Sequence, residues 1–395
     1  MKQKICMITL GCKINQYESD KIAQHLTDFQ ITNKLEKSDI YIVNTCAVTG
    51  YAEKKSRYQI SRIIRLDPSA RIIVCGCASQ LDAKQFNSPN IIKVHGTDKS
   101  KILDEITKLS NTHCNSQNNI SGRNRVFIKV QDGCDNFCSY CIVPYLRGRS
   151  RSRDVNEIIA EVNALPEFVK EVVLTGIDLS SFTDLNELCI RVDKTGRAFR
   201  LSSIEARIIT PEFLQTLKSC KNFCPSFHIP LQSGSDSVLK AMNRRYTSSE
   251  YLEKVTLVRS IFPCAQITTD IICGFPTETD QHFNETVELV RSAKFLHAHI
   301  FPYSLRTGTV AAKLPQLQST VITNRTKKLI QTQKQITAEI IKNYIGKTIN
   351  VLFEYQKNGF TYGTSREYLS IKSKGNHTLD WCDITINSES NQIII

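Results

Sequence analysis

The sequence predicts an α/β protein in three parts: an open parallel sheet domain, a partial (β/α)6 barrel and a small C-terminal β-barrel. Strand, cysteine and helix signals repeat three times in the first hundred residues, strand and helix signals then alternate through the middle of the chain, and short strands with turns follow. A polar stretch separates the first two parts. The predicted boundaries are residues 1–112 for the first domain, 113–123 for a linker, 124–345 for the barrel and 346–395 for the last domain.

The first domain repeats a strand that leads to a cysteine and then to a helix. The strand-like segments are residues 4–10, 40–44 and 71–74, and the cysteines that follow them are Cys12, Cys46 and Cys77. In an open parallel sheet the loops at the carboxyl ends of the strands gather along one edge, where ligands bind. The three cysteines are therefore a candidate three-thiolate site, although small buried thiols would give the same pattern. Spacing alone does not choose between Cys75 and Cys77 for the third position.

The middle of the chain alternates between strands and helices, as a barrel built from six βα units requires. The predicted strands are residues 126–131, 171–175, 199–203, 226–230, 266–272 and 297–302. The predicted helices are residues 154–165, 211–219, 250–261 and 280–293, followed by a long basic helix at 321–344. In the last domain the predicted strands are residues 348–355, 368–372 and 383–386, which is typical of a small β-barrel.

Three cysteines directly after the first barrel strand have the spacing Cys-x3-Cys-x2-Cys: Cys134, Cys138 and Cys141. A 4Fe-4S cluster normally takes four thiolates, so three leave one iron open for another ligand. A structural zinc site would need a further Cys or His nearby, and the twenty residues after Cys141 contain neither. A disulfide knot would need export, and the N-terminus leads into a strand without a signal peptide.

Composition points to a nucleic-acid partner and a reducing compartment. The formal charge is +13, from 51 Lys and Arg against 38 Asp and Glu, as expected of a protein that binds a polyanion. No segment approaches the about 20 apolar residues of a membrane span, and 15 cysteines without export features favour the cytoplasm. Basic residues form two clusters, either of which could be a plain solvated face. The first comprises Lys54, Lys55, Arg57, Arg62, Arg65 and Arg71, and the second comprises Arg147, Arg149, Arg151 and Arg153, which we predict to bind the phosphates of a nucleic acid.

Several short motifs resemble those of the methylthiotransferase family of radical S-adenosylmethionine (SAM) enzymes, over nearly the whole chain. The matching segments are Gly11-Cys12-Lys13-Ile14-Asn15-Gln16-Tyr17-Glu18, Asn44-Thr45-Cys46-Ala47-Val48-Thr49, Gly76-Cys77-Ala78-Ser79-Gln80 and Gln131-Asp132-Gly133-Cys134. Within the family, the residues of these motifs resemble those of the branch that modifies threonylcarbamoyladenosine in tRNA. So do Pro144-Tyr145-x-Arg147-Gly148 and Arg151-Ser152-Arg153.

The resemblance implies a flavodoxin-like first domain, a TRAM-like β-barrel at the end, and two 4Fe-4S clusters with SAM as cofactors. One cluster would be held by Cys134, Cys138 and Cys141, and an auxiliary cluster by Cys12, Cys46 and Cys77, since the family places its third cysteine after glycine. A radical formed from SAM would take hydrogen from adenine C2 at position 37 of tRNA, and a methylated sulfur would be added there. The implied SAM contacts are Tyr140, Thr175, Gly176, Ser203, Glu205, Gln232 and Arg245.

The implied partners are tRNA, an electron donor of the flavodoxin or ferredoxin type, and a sulfur source. Alternative substrates are isopentenyladenosine in tRNA and an aspartate of a ribosomal protein. An alternative of a different class is an iron–sulfur redox sensor that binds RNA, whose clusters would be fully ligated and would not cleave SAM. Because the cysteines account for the iron, we interpret His297 and His299 as ordinary strand residues.

Overall fold

The computed structural model describes residues 2–110, 122–387 and 390–394. Most of the predicted linker at 113–123 therefore lies outside the described residues. Among the described helices, none combines the length and the apolar character needed to cross a bilayer.

The first domain is a five-stranded, all-parallel sheet with the strand order β2-β1-β3-β4-β5. This is the flavodoxin-like order, in which the switch point for ligand binding lies between β1 and β3. Every residue of β3 is buried, because helices cover both faces of a parallel sheet. The strands are β1 Lys4–Thr9, β2 Gln30–Thr32, β3 Ile40–Thr45, β4 Ile72–Gly76 and β5 Ile91–Val94, and the helices are α1 Lys13–Gln24, α2 Gly50–Leu66, α3 Cys77–Leu81 and α4 Ile102–Ser110.

The central domain is the predicted partial barrel of six parallel strands. Its two three-stranded sheets are joined by a bridge between Ser203 and His228, which makes one open, curved wall. The wall strands are β6 Arg125–Lys129, β9 Glu171–Thr175, β10 Ala198–Leu201, β11 Ser226–His228, β12 Gln266–Cys273 and β13 His297–Pro302, with a short ribbon of β7 Gln131–Asp132 and β8 Arg151–Ser152 beside them. The helices are α5 Val143–Arg147, α6 Val155–Asn163, α7 Leu185–Asp193, α8 Pro211–Ser219, α9 Asp236–Ala241, α10 Ser248–Ile261, α11 Asp280–Ala293 and α12 Ser319–Lys342.

The last domain is an antiparallel five-stranded sheet with the order β17-β14-β15-β16-β18. Its strands are β14 Thr348–Lys357, β15 Phe360–Ser365, β16 Ser370–Lys374, β17 Trp381–Thr385 and β18 Asn391–Ile394. The expected TRAM-like module is thus a curled half-barrel rather than a closed barrel, since β17 pairs with β14 and β18 pairs with β16 in the described residues. Its apolar face buries Val351, Phe353 and Ile371.

Polar contacts across the domain boundaries fix how the three parts sit together. The Arg306 guanidinium, from the barrel, lies 2.8 Å from the Glu53 carboxylate of α2 and donates to the Ala47 carbonyl. The Asn124 side chain donates to the Phe353 and Leu379 carbonyls of the last domain. As a result, the carboxyl ends of both parallel sheets open into the same cavity.

Candidate active site

A cavity of about 610 Å³ lies between the first domain and the barrel. Both sequence motifs reach it: Cys12 lines it from the first domain, and Cys134, Cys138 and Cys141 line it from the barrel. The carboxyl ends of the barrel strands form the remaining wall, as expected for a barrel in which functional groups lie after the strands. Cys12 and the three cysteines of the second group therefore face one space from opposite domains, while Cys46 and Cys77 are buried behind Cys12 outside the cavity lining.

Each cysteine of the first group lies where a strand gives way to a helix. Cys12 is the N-cap of α1, Cys46 follows β3 shortly before α2, and Cys77 is the first residue of α3. Burial and the neighbouring Cys12 and Cys77 thiols raise the pKa of Cys46 to about 11. Gly11, at φ +99°, is essential to the arrangement because a Cβ there would lie 2.7 Å from the Cys46 Sγ.

The two candidates for the third position lie on opposite faces of the sheet. Cys77 interacts electrostatically with both Cys12 and Cys46. Cys75 is instead buried in an apolar cluster with Ile5 and Ile73, where burial raises the pKa of its thiol to about 12. Strand alternation alone would place both cysteines on one face, but β4 ends at Gly76, whose φ of +103° turns the chain into α3, and only Cys77 faces the other two thiols.

The second group is held by a tight loop between β7 and α5. The Cys134 amide donates to the Gly148 carbonyl at 3.1 Å, and the Cys141 amide donates to the Cys138 carbonyl at 2.9 Å. Ser139, between the cysteines, is tied to the loop after α9 by a 2.8 Å hydrogen bond to the Ala241 carbonyl. These bonds fix the backbone of all three cysteines before any metal binds, which is the pre-organisation that a metal site requires.

Neither group of thiols is arranged around a single metal ion. In the described residues, the groups whose ligand atoms all lie within 4.8 Å of one another include neither cysteine trio. Within each trio, however, the thiols influence one another electrostatically. Thiols that are close but not in contact fit a cluster, in which each sulfur binds a different iron atom. The Arg244 Nη1 donates to the Cys138 Sγ at 3.4 Å, which supplies a cation beside such a cluster.

Six of the seven residues predicted to contact SAM line the cavity, and the seventh, Arg245, does not. The six are Tyr140, Thr175, Gly176, Ser203, Glu205 and Gln232. Arg245 is exposed and outside the cavity lining, whereas its neighbour Arg244 lines the cavity and lies 2.6 Å from the Glu205 carboxylate. The turn at Asn243, at φ +60°, sets which of the two adjacent arginines points inward. A pair of adjacent arginines gives no sequence signal for that choice.

The four arginines predicted to bind tRNA divide into two pairs. Arg149 and Arg151 are exposed, and 74% of the Arg149 side chain is accessible. Arg147 is only 1% accessible, and its guanidinium lies 3.0 Å from Glu18 and 3.1 Å from Asp132. Arg153 is partly buried and lies 2.8 Å from Glu161. Arg147 and Arg153 are therefore held inside the protein by burial and carboxylate pairing, whereas Arg149 stays exposed despite its pair with Asp135.

Sequence reasoning missed one polar group in the cavity. His228, Asp270 and His299 lie on neighbouring strands with their ligand atoms within 4.8 Å of one another. His299 is therefore part of the cavity wall rather than an ordinary strand residue. His297 lines a second pocket, which His299 also reaches. The three residues lie inside predicted strands, but only the register of those strands shows that they share a face.

Two family models match the chain: the Radical SAM superfamily over residues 128–290 and the uncharacterized protein family UPF0004 over residues 4–96. The chain is 37% identical to the threonylcarbamoyladenosine tRNA methylthiotransferase of Chlamydia pneumoniae, covering 88% of this chain and 86% of that protein. It is 34% identical to the protein of the same name from Bacillus subtilis (strain 168), covering 93% and 89%.

A second group of relatives has a different name. The tRNA-2-methylthio-N(6)-dimethylallyladenosine synthase of Acetivibrio thermocellus is 32% identical, covering 89% of this chain and 81% of that protein. Among solved structures, the radical SAM methyltransferase from Kitasatospora setae has a TM-score of 0.55 at 12% identity, covering 79% of this chain and 77% of that chain. That likeness concerns the fold.

The cysteine groups fit the cofactors that these matches imply, which are SAM and 4Fe-4S clusters. Identity above 30% over most of the chain and of its relatives establishes the family on its own. Together with the cavity that Cys12 and the second group of cysteines line from two domains, it shows that this chain belongs to the methylthiotransferase family of radical SAM enzymes.

Proposed function

We propose that this protein adds a methylthio group to C2 of N6-threonylcarbamoyladenosine at position 37 of tRNA. The observation that carries the proposal is the single cavity lined by cysteines from two domains. Transfer of sulfur to an aromatic carbon requires a radical source and a sulfur donor close to one substrate atom, because that C–H bond has neither an acidic proton nor a leaving group.

In this proposal the two groups of cysteines have separate roles. Cys134, Cys138 and Cys141 hold one 4Fe-4S cluster and leave one iron for SAM, and Cys12, Cys46 and Cys77 hold the auxiliary cluster. When bound, these cofactors supply the radical and the methylated sulfur. The chain supplies position: Arg244 contacts both Cys138 and Glu205, so it links the cluster loop to the strand end where SAM would lie.

The remaining SAM contacts follow from the lining of the cavity. The residues concerned are Tyr140, Thr175, Gly176, Ser203, Glu205 and Gln232, with Arg244 in place of Arg245. Burial beside the cluster loop raises the pKa of the Tyr140 hydroxyl well above its usual range, so this side chain stays neutral. Gly176 lies close to the Gln131 side chain, and a larger residue would narrow this part of the cavity.

For tRNA binding we propose the exposed face of α2 together with Arg149 and Arg151. Basic and aromatic side chains recur on this face at helical spacing, which places them in one stripe. Phosphates pair with the cations and bases stack on the rings, and both contacts are typical of RNA recognition. The N-terminus of α2 lies at the cavity mouth, where the Gly50 amide donates to Ser304. The stripe consists of Tyr51, Lys54, Lys55, Tyr58, Arg62 and Arg65.

The second candidate substrate is N6-isopentenyladenosine in tRNA, which is favoured by the relatives named as dimethylallyladenosine synthases. The two candidates differ in the chemistry attached to N6: one carries an amino acid and the other an apolar group. The threonylcarbamoyl substrate is supported by the relatives with the higher identities and by the charged side chains in the cavity. An external low-potential electron donor and a sulfur source are the further partners that this reaction requires.

The test uses the full-length protein, reconstituted anaerobically with iron and sulfide. It is incubated with SAM, dithionite and tRNA that carries either threonylcarbamoyladenosine or isopentenyladenosine at position 37. Mass spectrometry of the digested nucleosides is expected to find the 2-methylthio product of threonylcarbamoyladenosine. A product from isopentenyladenosine alone would favour the second candidate, and SAM left intact with both tRNAs would exclude a methylthiotransferase activity.

A further inference from the structure

The charged cluster at the far side of the cavity from the Cys134 loop has no part in the chemistry described so far. Asp270 on β12 and His299 on β13 are directly paired in register, and His228 ends the neighbouring strand β11. The His228 Nε2 lies 3.2 Å from the Asp270 Oδ2. The Cys134 loop follows β6 at one edge of the curved wall, whereas this cluster lies on β11, β12 and β13 toward the other edge.

A lysine from the first domain completes this cluster. Lys13 follows Cys12 directly, lines the same cavity, and is close enough to Asp270 and His299 to influence both electrostatically. Lys13 takes part in none of the ion pairs closer than 4.0 Å in the described part of the chain. Among the described residues, Lys13 thus has no carboxylate within 4.0 Å and lies partly buried in the same cavity as Cys12, His228 and His299. Such a lysine is suited to bind an anion from outside the protein.

The cluster offers donors and acceptors of more than one kind. Enclosure in the cavity and the neighbouring His297 and His228 lower the pKa of His299 to about 4, so its ring is neutral at neutral pH and has one donor and one acceptor nitrogen. Asp270 is ionised, because the hydrogen bond from His228 lowers its pKa despite its burial. Lys13 thus supplies a cation, and Asp270 accepts hydrogen bonds from N–H or O–H groups. His299 can donate or accept a hydrogen bond.

We propose that Lys13, His228, Asp270 and His299 form the subsite that binds the amino-acid group on N6 of the target adenosine, with Lys13 bound to its carboxylate. This inference rests on the proposed function and names the residues that select its substrate. A threonylcarbamoyl group has one carboxylate for Lys13, and N–H and hydroxyl donors for Asp270. An isopentenyl group would exclude water from the same charged side chains without offering them hydrogen-bond partners. A site built to hydrogen-bond its substrate strongly rejects such a group.

The position of Lys13 gives the subsite a second role. Because Lys13 is adjacent to Cys12, a carboxylate bound there would place the attached adenine beside the first group of cysteines. The amino-acid group would then serve as an anchor that orients the base. Substrate binding and substrate choice would therefore depend on the same lysine.

The experiment measures binding of the full-length holoenzyme, without SAM, to synthetic anticodon stem-loop RNAs by fluorescence anisotropy. The RNAs differ only at position 37, which carries threonylcarbamoyladenosine, its methyl ester, isopentenyladenosine or adenosine. The wild type is expected to bind the free acid roughly tenfold more tightly than the ester, since a charge-assisted contact is lost on esterification. In Lys13→Gln this preference should disappear, and in Lys13→Arg most of it should remain.

Two further variants keep the result interpretable. His299→Leu changes the subsite from the barrel side, away from Cys12, and should weaken binding of the free acid severalfold at unchanged iron content. Lys194→Gln removes an exposed lysine beyond the end of α7 and should match the wild type. An undiminished preference for the acid in Lys13→Gln would overturn the subsite alone. Tighter wild-type binding of the isopentenyl RNA would overturn the proposed function with it, and a stoichiometric metal ion lost in His299→Leu would overturn the subsite in favour of a metal site.

Discussion

The guanidinium of Arg147 lies 3.0 Å from the carboxylate of Glu18, and this buried pair joins the barrel to the first domain. Arg147 also donates to Asn15 at 2.9 Å, and Lys99 and Lys129 pair with the same glutamate. Burial alone would raise the pKa of Glu18, but Lys99, Arg147 and Lys129 together lower it to about 2. Arg147 further interacts with Cys77, so the link between the domains also adjoins the first group of cysteines.

Replacing Arg147 should destabilise the protein because it removes the buried guanidinium that joins Glu18 and Asp132, which would keep only Lys99 and Lys129 as partners. Breaking a buried pair on one side typically costs about 3–5 kcal/mol, so Arg147→Met should lower the unfolding midpoint clearly in thermal or urea denaturation. The control is Arg149→Met, whose exposed pair with Asp135 should contribute at most about 1 kcal/mol. Equal stability of the two variants would contradict the structural role of Arg147.

Charge reversal on the stripe of α2 should weaken tRNA binding through lost phosphate contacts. For Lys55→Glu or Arg62→Glu we expect weaker binding and a plot of log affinity against log salt whose slope falls by about 1. Filter binding at several salt concentrations measures both quantities. Lys218→Glu, at an exposed position on α8, changes the net charge equally and should leave the slope intact. An identical slope in all variants would exclude α2 from the tRNA interface.

The two groups of cysteines should lose iron independently. Cys134→Ala and Cys46→Ala should each bind about half the iron of the reconstituted wild type, because each variant removes a thiolate from a different cluster. Iron and sulfide analysis with electron paramagnetic resonance distinguishes the clusters. Cys75→Ala is the matched control: its thiol lies in the apolar cluster on the other face of the sheet, so the iron content should not change. Loss of iron in this control would reopen the choice between Cys75 and Cys77.

A methyl group at Gly11 should disrupt the site of the first three cysteines. The Cβ of Gly11→Ala would lie 2.7 Å from both the Cβ and the Sγ of Cys46, and φ +99° is strained for alanine as well. Gly196→Ala separates the two effects, since Gly196 has φ +76° but open space around its Cβ. We expect Gly11→Ala to lose the auxiliary iron and Gly196→Ala to lose only about 1 kcal/mol of stability. Full iron in Gly11→Ala would show that Cys46 can move freely.

Removing the cation beside Cys138 should make the barrel cluster harder to reduce. In Arg244→Met the positive charge and the hydrogen bond to the Cys138 sulfur are lost, and both favour the reduced, more negative cluster. Redox titration of the holoenzyme should therefore give a lower midpoint potential than in the wild type. Arg245→Met, at the exposed neighbour, should keep the wild-type potential. A lowered potential in Arg245→Met, with the wild-type potential in Arg244→Met, would show that Arg245 is the cavity residue.

Much of the fold followed from local patterns. Apolar strands that alternate with amphipathic helices specify parallel sheets, and the flavodoxin-like order and the six barrel strands agree with that expectation. Whether the last domain is an open or a closed sheet could not be predicted from the sequence. Closure depends on whether the edge strands β17 and β18 pair with each other, and short antiparallel strands have the same sequence pattern in open and closed sheets.

The sequence by itself indicated the chemistry of the second group, because the compact spacing of Cys134, Cys138 and Cys141 is local. For Cys12, Cys46 and Cys77 the strand pattern gave only a candidate site, and the third cysteine rested on the resemblance to the family. Only the tertiary structure decided which charged residues serve the cavity. Arg147 and Arg149 are two residues apart, yet one is paired inside a domain boundary and the other is exposed. Lys13 and His299 are distant in the chain but adjoin in the cavity. Charge is a local property of sequence, whereas burial and ion pairing depend on segments far apart in the chain.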